Sequence, residues 1–235
     1  MAPGNTRRPS RRRGPPPRHT REEVTDAAIA LADADGFDAV TFRAVAARLG
    51  AGTMSLYSYV PDKQTLVHEM VERVSGELEL PREPSGDWRA DIRMMAGRQR
   101  AMLHRHPWLI TALSHRQPFG PATLASLEFA LAALEPTGLP ARRCLETVGL
   151  LTGFIANFVR TELADSGAAP DPAQLAAESA RLQELLATGR YPRFAAAVGH
   201  GGHPAVDLAA GFTHLLDRML DGLIGPNDTE AETST

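Results

Sequence analysis

The sequence predicts an all-α protein. Apolar residues recur at intervals of three and four along most of the chain, and the segment 205–224 has the most regular stripe. No segment shows the strict alternation of apolar and polar residues that is typical of a half-buried β-strand. Glycine and proline separate the periodic segments, and hydroxyl or carboxylate side chains stand where helices begin. These observations together predict a series of helices with short connections.

A break rich in proline and glycine divides the chain. Residues 81–86 interrupt the helical pattern and predict a boundary between a first domain at 20–80 and a second domain at 87–225. Residues 1–19 have no apolar periodicity and much Pro, Gly and Arg, so we expect a disordered basic arm. Residues 226–235 are expected to form a disordered tail.

The first helix is predicted to begin at Thr20, because Thr20 and Glu23 have the spacing of a capping box. Gly36 is expected to end it. Phe37 and Val40 follow in the connection and are expected to complete a small three-helix core. The buried stripe of this helix consists of Val24, Ala27, Ala28, Leu31 and Ala32.

A short second helix follows. Thr41 is expected to cap it, and Val45, Ala46 and Leu49 fall on one face. Gly50 then marks the point where the chain leaves the helical region.

A third, very short helix completes the first domain's pattern. Gly52 helps the chain reverse direction, and Thr53 is expected to cap the helix. Leu56 and Val60 are its inward residues, and Pro61 ends it. This arrangement is the pattern of a helix-turn-helix, in which the second helix enters the major groove of DNA.

The outward residues of the third helix suit contact with DNA. Thr53, Met54 and Ser55 stand at its start, where base edges are reached. Tyr57 and Tyr59 can reach phosphate oxygens, and the alternative is that either is a half-buried packing residue.

Several spaced residues in this segment identify a known family. They are Thr41 before an arginine-bearing helix, Val45-Ala46, Leu49-Gly50, Leu56-Tyr57, Tyr59-Val60, Asp62-Lys63 and Leu66. The segment 20–79 thereby resembles the TetR family of bacterial one-component regulators. The resemblance implies a three-helix helix-turn-helix domain, joined by a connecting helix to a helical bundle for ligand binding and dimerisation. It further implies a homodimer that binds a palindromic operator on double-stranded DNA and an unknown small-molecule effector.

The resemblance also assigns roles to two cations. The position that matches Arg43 often contacts a base or a phosphate in the family, and arginine is the commonest bidentate reader of guanine. The alternative for Arg43 is a solvated surface arginine. Lys63, the one lysine of the sequence, matches the family's phosphate-binding lysine. The expected DNA-binding set is Thr41, Arg43, Thr53, Met54, Ser55, Tyr57, Ser58, Tyr59 and Lys63.

The helical pattern continues to the end of the second domain. Asp62 is expected to cap a connecting helix that ends near Glu79. Further helices are predicted at 88–104, 107–114, 121–134, 141–165, 172–188, 193–198 and 205–224.

The second domain is expected to contain a ligand pocket. Methionine, aromatic and polar side chains on its helices are predicted to line an apolar cavity with a few polar anchors. The alternative for each of these residues is packing in the core. The predicted pocket residues are Met95, Gln99, Met102, His104, Trp108, Phe129, Phe154, Asn157 and Phe158.

The same domain is expected to form the dimer. Gly149 and Gly153 lie four residues apart on the helix 141–165 and permit close approach of another helix. With the helix 205–224, this helix is predicted to form a four-helix interface, as in the family. The predicted dimer residues are Gly149, Gly153, Phe212, Leu216 and Leu220.

Positive charge is concentrated at the N-terminus. Seven of the 25 lysine and arginine residues lie in 1–21, which leaves 18 basic against 28 acidic residues in the rest of the chain. Residues 22–80 carry four cations and eleven carboxylates. Because a protein must neutralise phosphates to bind DNA, the arm is expected to contact phosphates or the minor groove. The alternative is a solvated tail without specific contacts.

No motif supports catalysis, a metal site or a cofactor. His104 and His106, and likewise His200 and His203, are pairs without the further ligands that a zinc site requires. No glycine-rich loop follows a strand, and no nucleophile lies in a recognisable turn. The sequence has no apolar run of membrane-spanning length, no signal-peptide pattern and one cysteine, Cys144, which favour the reducing cytoplasm.

The sequence therefore predicts a cytoplasmic, ligand-responsive transcriptional regulator that acts as a repressor, without enzymatic activity, cofactor or membrane contact. One alternative is a helical protein-binding module with a vestigial helix-turn-helix. Another is a small helical enzyme, for which no set of acid, base and nucleophile is found.

Overall fold

Eleven α-helices and three short 3-10 turns make up the described part of the computed structural model, which comprises residues 19–113, 119–165, 172–198 and 208–224. No β-strand occurs among these residues, and the all-α prediction is confirmed. The predicted tail, residues 1–18 of the predicted arm, and His200 and His203 lie outside them. The helices are α1 Arg21–Asp35, α2 Phe42–Leu49, α3 Thr53–Leu56, α4 Lys63–Ser75, α5 Trp88–Arg105, α6 Trp108–Leu113, α7 Pro121–Leu134, α8 Ala141–Asp165, α9 Pro172–Ala187, α10 Pro192–Val198 and α11 Leu208–Leu223.

The chain divides into two compact units, residues 1–70 and 71–235. The division falls inside α4, before the break that the sequence predicts at 81–86. Contacts within the second unit explain this difference. The carboxylate of Glu72 accepts hydrogen bonds from the backbone N–H groups of Ala122 (2.8 Å) and Thr123 (3.3 Å), in the first turn of α7. The connecting helix ends at Ser75, earlier than predicted, and a 3-10 turn follows.

The first unit begins with the predicted capping box. The N–H of Glu23 donates to Thr20 Oγ1 (3.1 Å), and the N–H of Thr20 donates to Glu23 Oε2 (3.2 Å). Gly36 ends α1 with φ 85°, a conformation that favours glycine. The fully buried residues of this unit include Val24, Ala28, Val40, Val45, Leu56, Val60 and Met70.

The second unit is a bundle around α5 and α8. Helix α5 packs against α7 and α8, and α11 packs against α8. Its buried side chains include Ile92, Leu103, Leu134, Ile155 and Leu216. Among the described residues, no helix combines the length and apolar character that a membrane crossing requires.

The turn between α2 and α3 depends on Gly50. This residue has φ 63° and ψ 29°, the left-handed conformation, and the following N–H of Ala51 donates to the carbonyl of Ala46 (2.9 Å). Gly52 has φ −76° and ψ 138°, an extended conformation open to any residue. The backbone conformation therefore favours glycine at position 50 and not at position 52.

We expect Gly50→Ala to destabilise the first unit, because a residue with a Cβ pays about 1–2 kcal/mol in the left-handed conformation. Apart from the two chain neighbours, no described atom lies within 4 Å of the added Cβ at either glycine, so the difference between the two positions is conformational. Gly52→Ala is the matched control and should cost less. Thermal unfolding of both variants measures the effect, and equal melting temperatures would contradict the argument.

Candidate nucleic-acid interface and ligand site

Helix α3 is short and has one buried face. Leu56 and Val60 are fully buried, and the N–H of Val60 donates to the carbonyl of Leu56 (2.9 Å). The predicted cap of this helix is wrong: Gly52, not Thr53, is the N-cap residue, and no side-chain hydrogen bond caps the helix. Thr53 is instead the first helical residue, because the reversal after Gly50 is completed within Ala51 and Gly52.

The opposite side of α3, together with the turn that follows it, is open. Met54 is 80% exposed, Tyr57 is 48% exposed, and Ser55 and Ser58 are also exposed. The Tyr57 ring stacks on Phe42 of α2, with centroids 4.6 Å apart and planes 10° apart. This stacking fixes the direction of the Tyr57 side chain while half of its surface stays open.

Ser55 of α3 and Ser58 of the turn that follows it have defined hydrogen-bonding roles. Ser55 Oγ donates to the carbonyl of Gly52, and Ser58 Oγ donates to the carbonyl of Ser55, both at 2.6 Å. A hydroxyl has one proton, so each oxygen in this arrangement can accept but not donate. Such oxygens suit the amino groups of adenine and cytosine in the major groove and do not suit phosphate.

Tyr57 and Tyr59, which were both predicted to reach phosphate oxygens, differ in their surroundings. Tyr59 is half-buried, and its hydroxyl accepts a hydrogen bond from the backbone N–H of His19 (3.4 Å). Arg21 Nε donates to the carbonyl of Tyr59 (3.0 Å), and an Arg21 Nη lies 3.1 Å from Glu69 Oε1. Tyr59 thus joins the end of the reading segment to the start of α1, and Tyr57 is the tyrosine open to a partner.

Three further predicted residues surround α3 in sequence. Thr41 Oγ1 accepts a hydrogen bond from the N–H of Ala44 (3.1 Å), which confirms it as the cap of α2. Arg43 is exposed and forms no ion pair with a described residue. Lys63 is exposed, with Nζ 5.5 Å from the ring centroid of Phe37.

Asp62 caps α4, as predicted. Its Oδ1 accepts a hydrogen bond from the N–H of Thr65 (2.7 Å), and hydrogen bonds from Thr65 lower the pKa of the carboxyl group. The carboxylate of Asp62 therefore already binds the N-terminal turn of α4, the helix that begins at Lys63.

A small cavity lies between α5, α7 and α8. Its volume is about 20 Å³, enough for about one water molecule. Two of the predicted pocket residues, Met95 and Gln99, line it. Thr152 Oγ1 donates to the carbonyl of Val148 (2.9 Å), so Gln99 is the main polar group on the wall. The lining consists of Ile92, Met95, Ala96, Gln99, Ala130, Val148, Leu151, Thr152 and Ile155.

The other predicted pocket residues lie elsewhere. Met102 and Trp108 are buried and do not line this cavity. Asn157 is exposed and accepts a hydrogen bond from Arg160 (3.3 Å), and Phe129 lies in the wall of a separate cleft. The residue types and their spacing predicted a helix with a buried side. They could not tell which of these side chains would line a cavity and which would pack in the core.

Phe154 and Phe158 belong to an aromatic cluster with Phe212 of α11. Their ring centroids lie 5.2 to 5.8 Å apart. The Arg100 guanidinium lies over this cluster, 5.0 Å from the Phe212 centroid and 6.0 Å from the Phe158 centroid. The cluster joins α8 to α11 inside one subunit.

Arg100 also forms an ion cluster with Glu162 and His104. Arg100 Nε donates to Glu162 Oε2 (3.0 Å), an Arg100 Nη contacts Oε1, and His104 Nε2 lies 2.8 Å from Oε2. Glu162 is buried, and the pKa of its carboxyl is lowered, chiefly by the hydrogen bond from Arg100 and against the effect of burial. The predicted pocket residue His104 therefore has a structural partner.

The prediction for the dimer face needs a correction. Phe212, Leu216 and Leu220 are all 5% exposed or less within the single subunit. They pack inside the second unit, so they are not a surface available to another copy. Gly149 and Gly153 are exposed, and apart from the backbone of α8 itself and their chain neighbours no described atom lies within 4 Å of a Cβ added at either position.

No group of three or more potential metal ligands occurs among the described residues. His104 and His106 instead pair with different carboxylates, Glu162 and Glu77. Cys144 is buried, and burial raises the pKa of its thiol. Its sulfur lies 3.6 Å from the carbonyl of Leu139, which fits a packing role.

Two family descriptions match the chain. "Bacterial regulatory proteins, tetR family" matches residues 24–70, and "Tetracyclin repressor-like, C-terminal domain" matches residues 80–225. The chain belongs to the TetR family. The HTH-type transcriptional repressor DrrR1 of Streptomyces coeruleorubidus is 37% identical over 223 residues, which cover 92% of this chain and 81% of DrrR1.

Solved structures of TetR-family ActR from Streptomyces coelicolor have the same fold. Apo ActR gives a TM-score of 0.73 at 25% identity and covers 90% of this chain and 97% of ActR. ActR in complex with (S)-DNPA gives a TM-score of 0.72 at 25% identity and covers 88% of this chain and 97% of ActR.

Membership of the TetR family decides the class of function. Regulators of this family are DNA-binding transcription factors, not enzymes, and they bind small-molecule ligands. The family assignment does not favour the alternative of a protein-binding module with a vestigial helix-turn-helix.

Sequence reasoning missed the Arg100–Glu162–His104 ion cluster. A signal for it exists: Glu162 stands in register with Phe158, Ile155 and Leu151 on the buried stripe of α8. A carboxylate on such a stripe requires a buried partner, because an unpaired buried charge is costly.

We expect Glu162→Gln to destabilise the protein by about 1–3 kcal/mol at pH 7, since it leaves the half-buried Arg100 without its counter-charge. The folded-state pKa of Glu162 is lowered, so its contribution is present above the unfolded pKa of about 4.3 and is lost as pH falls through the folded pKa. The difference between wild type and variant should therefore shrink below about pH 4.

Glu146→Gln is the matched control. Glu146 lies on the same helix and pairs with Arg142 (3.1 Å) at the exposed surface, where ion pairs contribute about 0–1 kcal/mol. Thermal unfolding across a pH series measures both. A Glu162→Gln variant as stable as Glu146→Gln at pH 7 would contradict the assignment.

Proposed function

We propose that this TetR-family protein represses transcription as a cytoplasmic homodimer, by placing α3 of each subunit in successive major grooves of a palindromic operator. The observation that carries this proposal is the two-sided character of α3. Leu56 of α3 and Val60 of the turn that follows it are fully buried on one side, and Met54, Ser55 and Tyr57 are open to solvent on the other. The open side thus combines a thioether, hydroxyl oxygens and an aromatic ring, the groups that can contact a thymine methyl group, base amino groups and a phosphate.

The proposed contacts follow from the chemistry of each side chain. Arg43, Thr53, Met54, Ser55 and Ser58 face base edges, where the serine oxygens accept hydrogen bonds from amino groups and Met54 packs on a thymine methyl group. The remaining members of the predicted set have other roles: Thr41, Tyr57 and Lys63 contact phosphate oxygens, and Tyr59 positions the end of α3 against α1.

The basic arm supplies general attraction for DNA. Deleting residues 1–18 removes six arginines, whereas residues 22–80 carry an excess of carboxylates. Each phosphate that the arm neutralises adds about 0.9 to the slope of log affinity against log salt concentration. An equal slope with and without the arm would contradict this role.

The dimer forms through the exposed sides of α8 and α11. On α8 these include Leu145 and Leu150, each about half exposed, beside Gly149 and Gly153. On α11, Leu215 is 37% exposed. Large apolar side chains next to glycines that admit a close neighbour favour helix packing between two copies.

The effector opens the cavity between α5, α7 and α8. Ligand pockets for organic molecules have volumes of about 300–1,000 Å³, far above the present one. The flexible Met95 side chain can move aside, and Gln99 and Thr152 can bind one or two polar groups of a mainly apolar ligand. The solved complex of ActR with (S)-DNPA and the repressor DrrR1 support a repressor that a ligand releases.

Arg43→Ala tests the placement of the helix-turn-helix on DNA. We expect a loss of about 1–3 kcal/mol of discrimination at one base pair in each half-site, because a bidentate contact to guanine is lost. Arg43→Lys keeps the charge but not the fork of donors, so it should retain general affinity and lose the same preference.

The measurement is the affinity of each variant for the operator upstream of the protein's own gene, and for a library of operators that each carry one changed base pair. Arg48→Ala is the control for charge, since Arg48 is an exposed arginine in the last turn of α2. Unchanged base preference in both Arg43 variants would contradict the proposal that Arg43 contacts a base.

Leu150→Glu combined with Leu215→Glu tests the dimer. Because both residues are exposed in the subunit, the charges should leave the fold intact and produce monomers that lose operator binding. Leu185→Glu on α9, a residue 45% exposed, is the matched control and should remain dimeric. Sedimentation equilibrium at micromolar concentration separates the outcomes, and a dimeric double variant would contradict the proposed interface.

A further inference from the structure

A second, larger cleft lies in the second unit, outside the cavity between α5, α7 and α8. It has a volume of about 640 Å³, within the range of sites for organic ligands. One wall is the segment 75–84, which begins at the last residue of α4, and the other is α7. The lining residues are Ser75, Gly76, Leu78, Glu79, Leu80, Pro81, Arg82, Glu83, Pro84, Ala122, Ala125, Ser126, Glu128, Phe129 and Ala132.

The wall formed by residues 75–84 is held in place by polar contacts. Arg98 of α5 donates to the carbonyl of Leu78 (3.2 Å) and also to that of Glu79. Glu77 binds Arg105 (3.0 Å). The cleft is therefore a built feature of the second unit, not a gap beside a loose segment.

The α7 wall is fixed to the same structure by Glu72. Its carboxylate accepts hydrogen bonds from the first turn of α7, and a Cβ at Gly120 would clash with the Glu72 carboxylate. Glycine at position 120 thus leaves room for this carboxylate. Both walls of the cleft are anchored through side chains that do not line it.

The chemistry of the lining points to one class of ligand. Leu78, Leu80, Phe129 and several alanines provide apolar surface. Three carboxylates, Glu79, Glu83 and Glu128, are exposed at the cleft and form no ion pair with any residue in the described ranges. Arg82 is the one cation of the lining, which leaves an excess of two negative charges. Acidic groups around an apolar floor attract an amphipathic cation and repel an anion.

We propose that this cleft binds a small organic cation with a large apolar surface, at a site separate from the cavity between α5, α7 and α8. The proposal requires only binding to the second unit, so it stands or fails independently of the DNA contacts proposed above.

A pair of probes with the same shape and opposite charge tests it. Tetraphenylphosphonium is a cation, and tetraphenylborate is an anion of closely similar size. Titration calorimetry of the full-length protein at low salt should show one tetraphenylphosphonium per subunit and at least tenfold weaker binding of tetraphenylborate. Equal affinity for the two ions would overturn the proposal.

Two sets of variants locate the site. The triple variant Glu79→Gln, Glu83→Gln and Glu128→Gln should weaken tetraphenylphosphonium binding at least tenfold, because each carboxylate contributes about threefold at these exposed positions. Ala125→Trp, which fills the cleft from an exposed position, should abolish binding. Ala101→Trp on α5 is the matched control, as Ala101 is exposed and does not line the cleft.

Two outcomes contradict the proposal. Undiminished binding by a folded Ala125→Trp protein would mean that the cation occupies another cavity. Binding that appears only after deletion of residues 1–18 would mean that the arginine-rich arm, and not a small cation, occupies the acidic cleft.

Discussion

The burial of Leu56 and Val60 is the interaction on which the DNA-reading surface depends. Helix α3 spans Thr53–Leu56, far too short to be stable alone, because a helix must repay the cost of its first turn with further hydrogen bonds. Its position is set by the core of the first unit, where both side chains are fully buried, and by the left-handed turn at Gly50. Core substitutions in this unit therefore act on DNA binding without touching DNA. The stacking of Tyr57 on Phe42 and the hydrogen bond from His19 to Tyr59 then orient the exposed groups.

In the second unit, charged side chains link each helix to a neighbouring helix or connecting segment. Glu72 caps α7, and Arg98 binds the carbonyl groups that follow α4. Arg100 and Glu162 link α5 to α8 beside the aromatic cluster with Phe212. Such contacts are directional, so they select one arrangement of the helices where apolar packing alone tolerates several. A ligand that enlarges the α5–α7–α8 cavity must work against these contacts, whereas the α7 cleft is already open.

Local signals in the sequence predicted the first unit well and the second unit only in outline. The caps at Thr20, Thr41 and Asp62 each depend on residues three apart, which can be read directly from the chain. The faces of α8 and α11 depend on how helices pack, and periodicity does not distinguish a core stripe from a dimer stripe. For that reason Phe212, Leu216 and Leu220 were predicted for the dimer and are found in the core. Likewise Met95 and Gln99 reach the α5–α7–α8 cavity, whereas Asn157 does not.

Dimethyl sulfate protection on the DNA upstream of the gene tests most directly whether a dimer reads DNA with two copies of α3. This reagent methylates guanine N7 in the major groove and adenine N3 in the minor groove. Two copies of α3 in two major grooves should protect guanines in two half-sites related by two-fold symmetry, with centres about one helical turn, 10–10.5 base pairs, or a multiple of it apart. Protection confined to adenine N3, or one protected segment without symmetry, would contradict this arrangement.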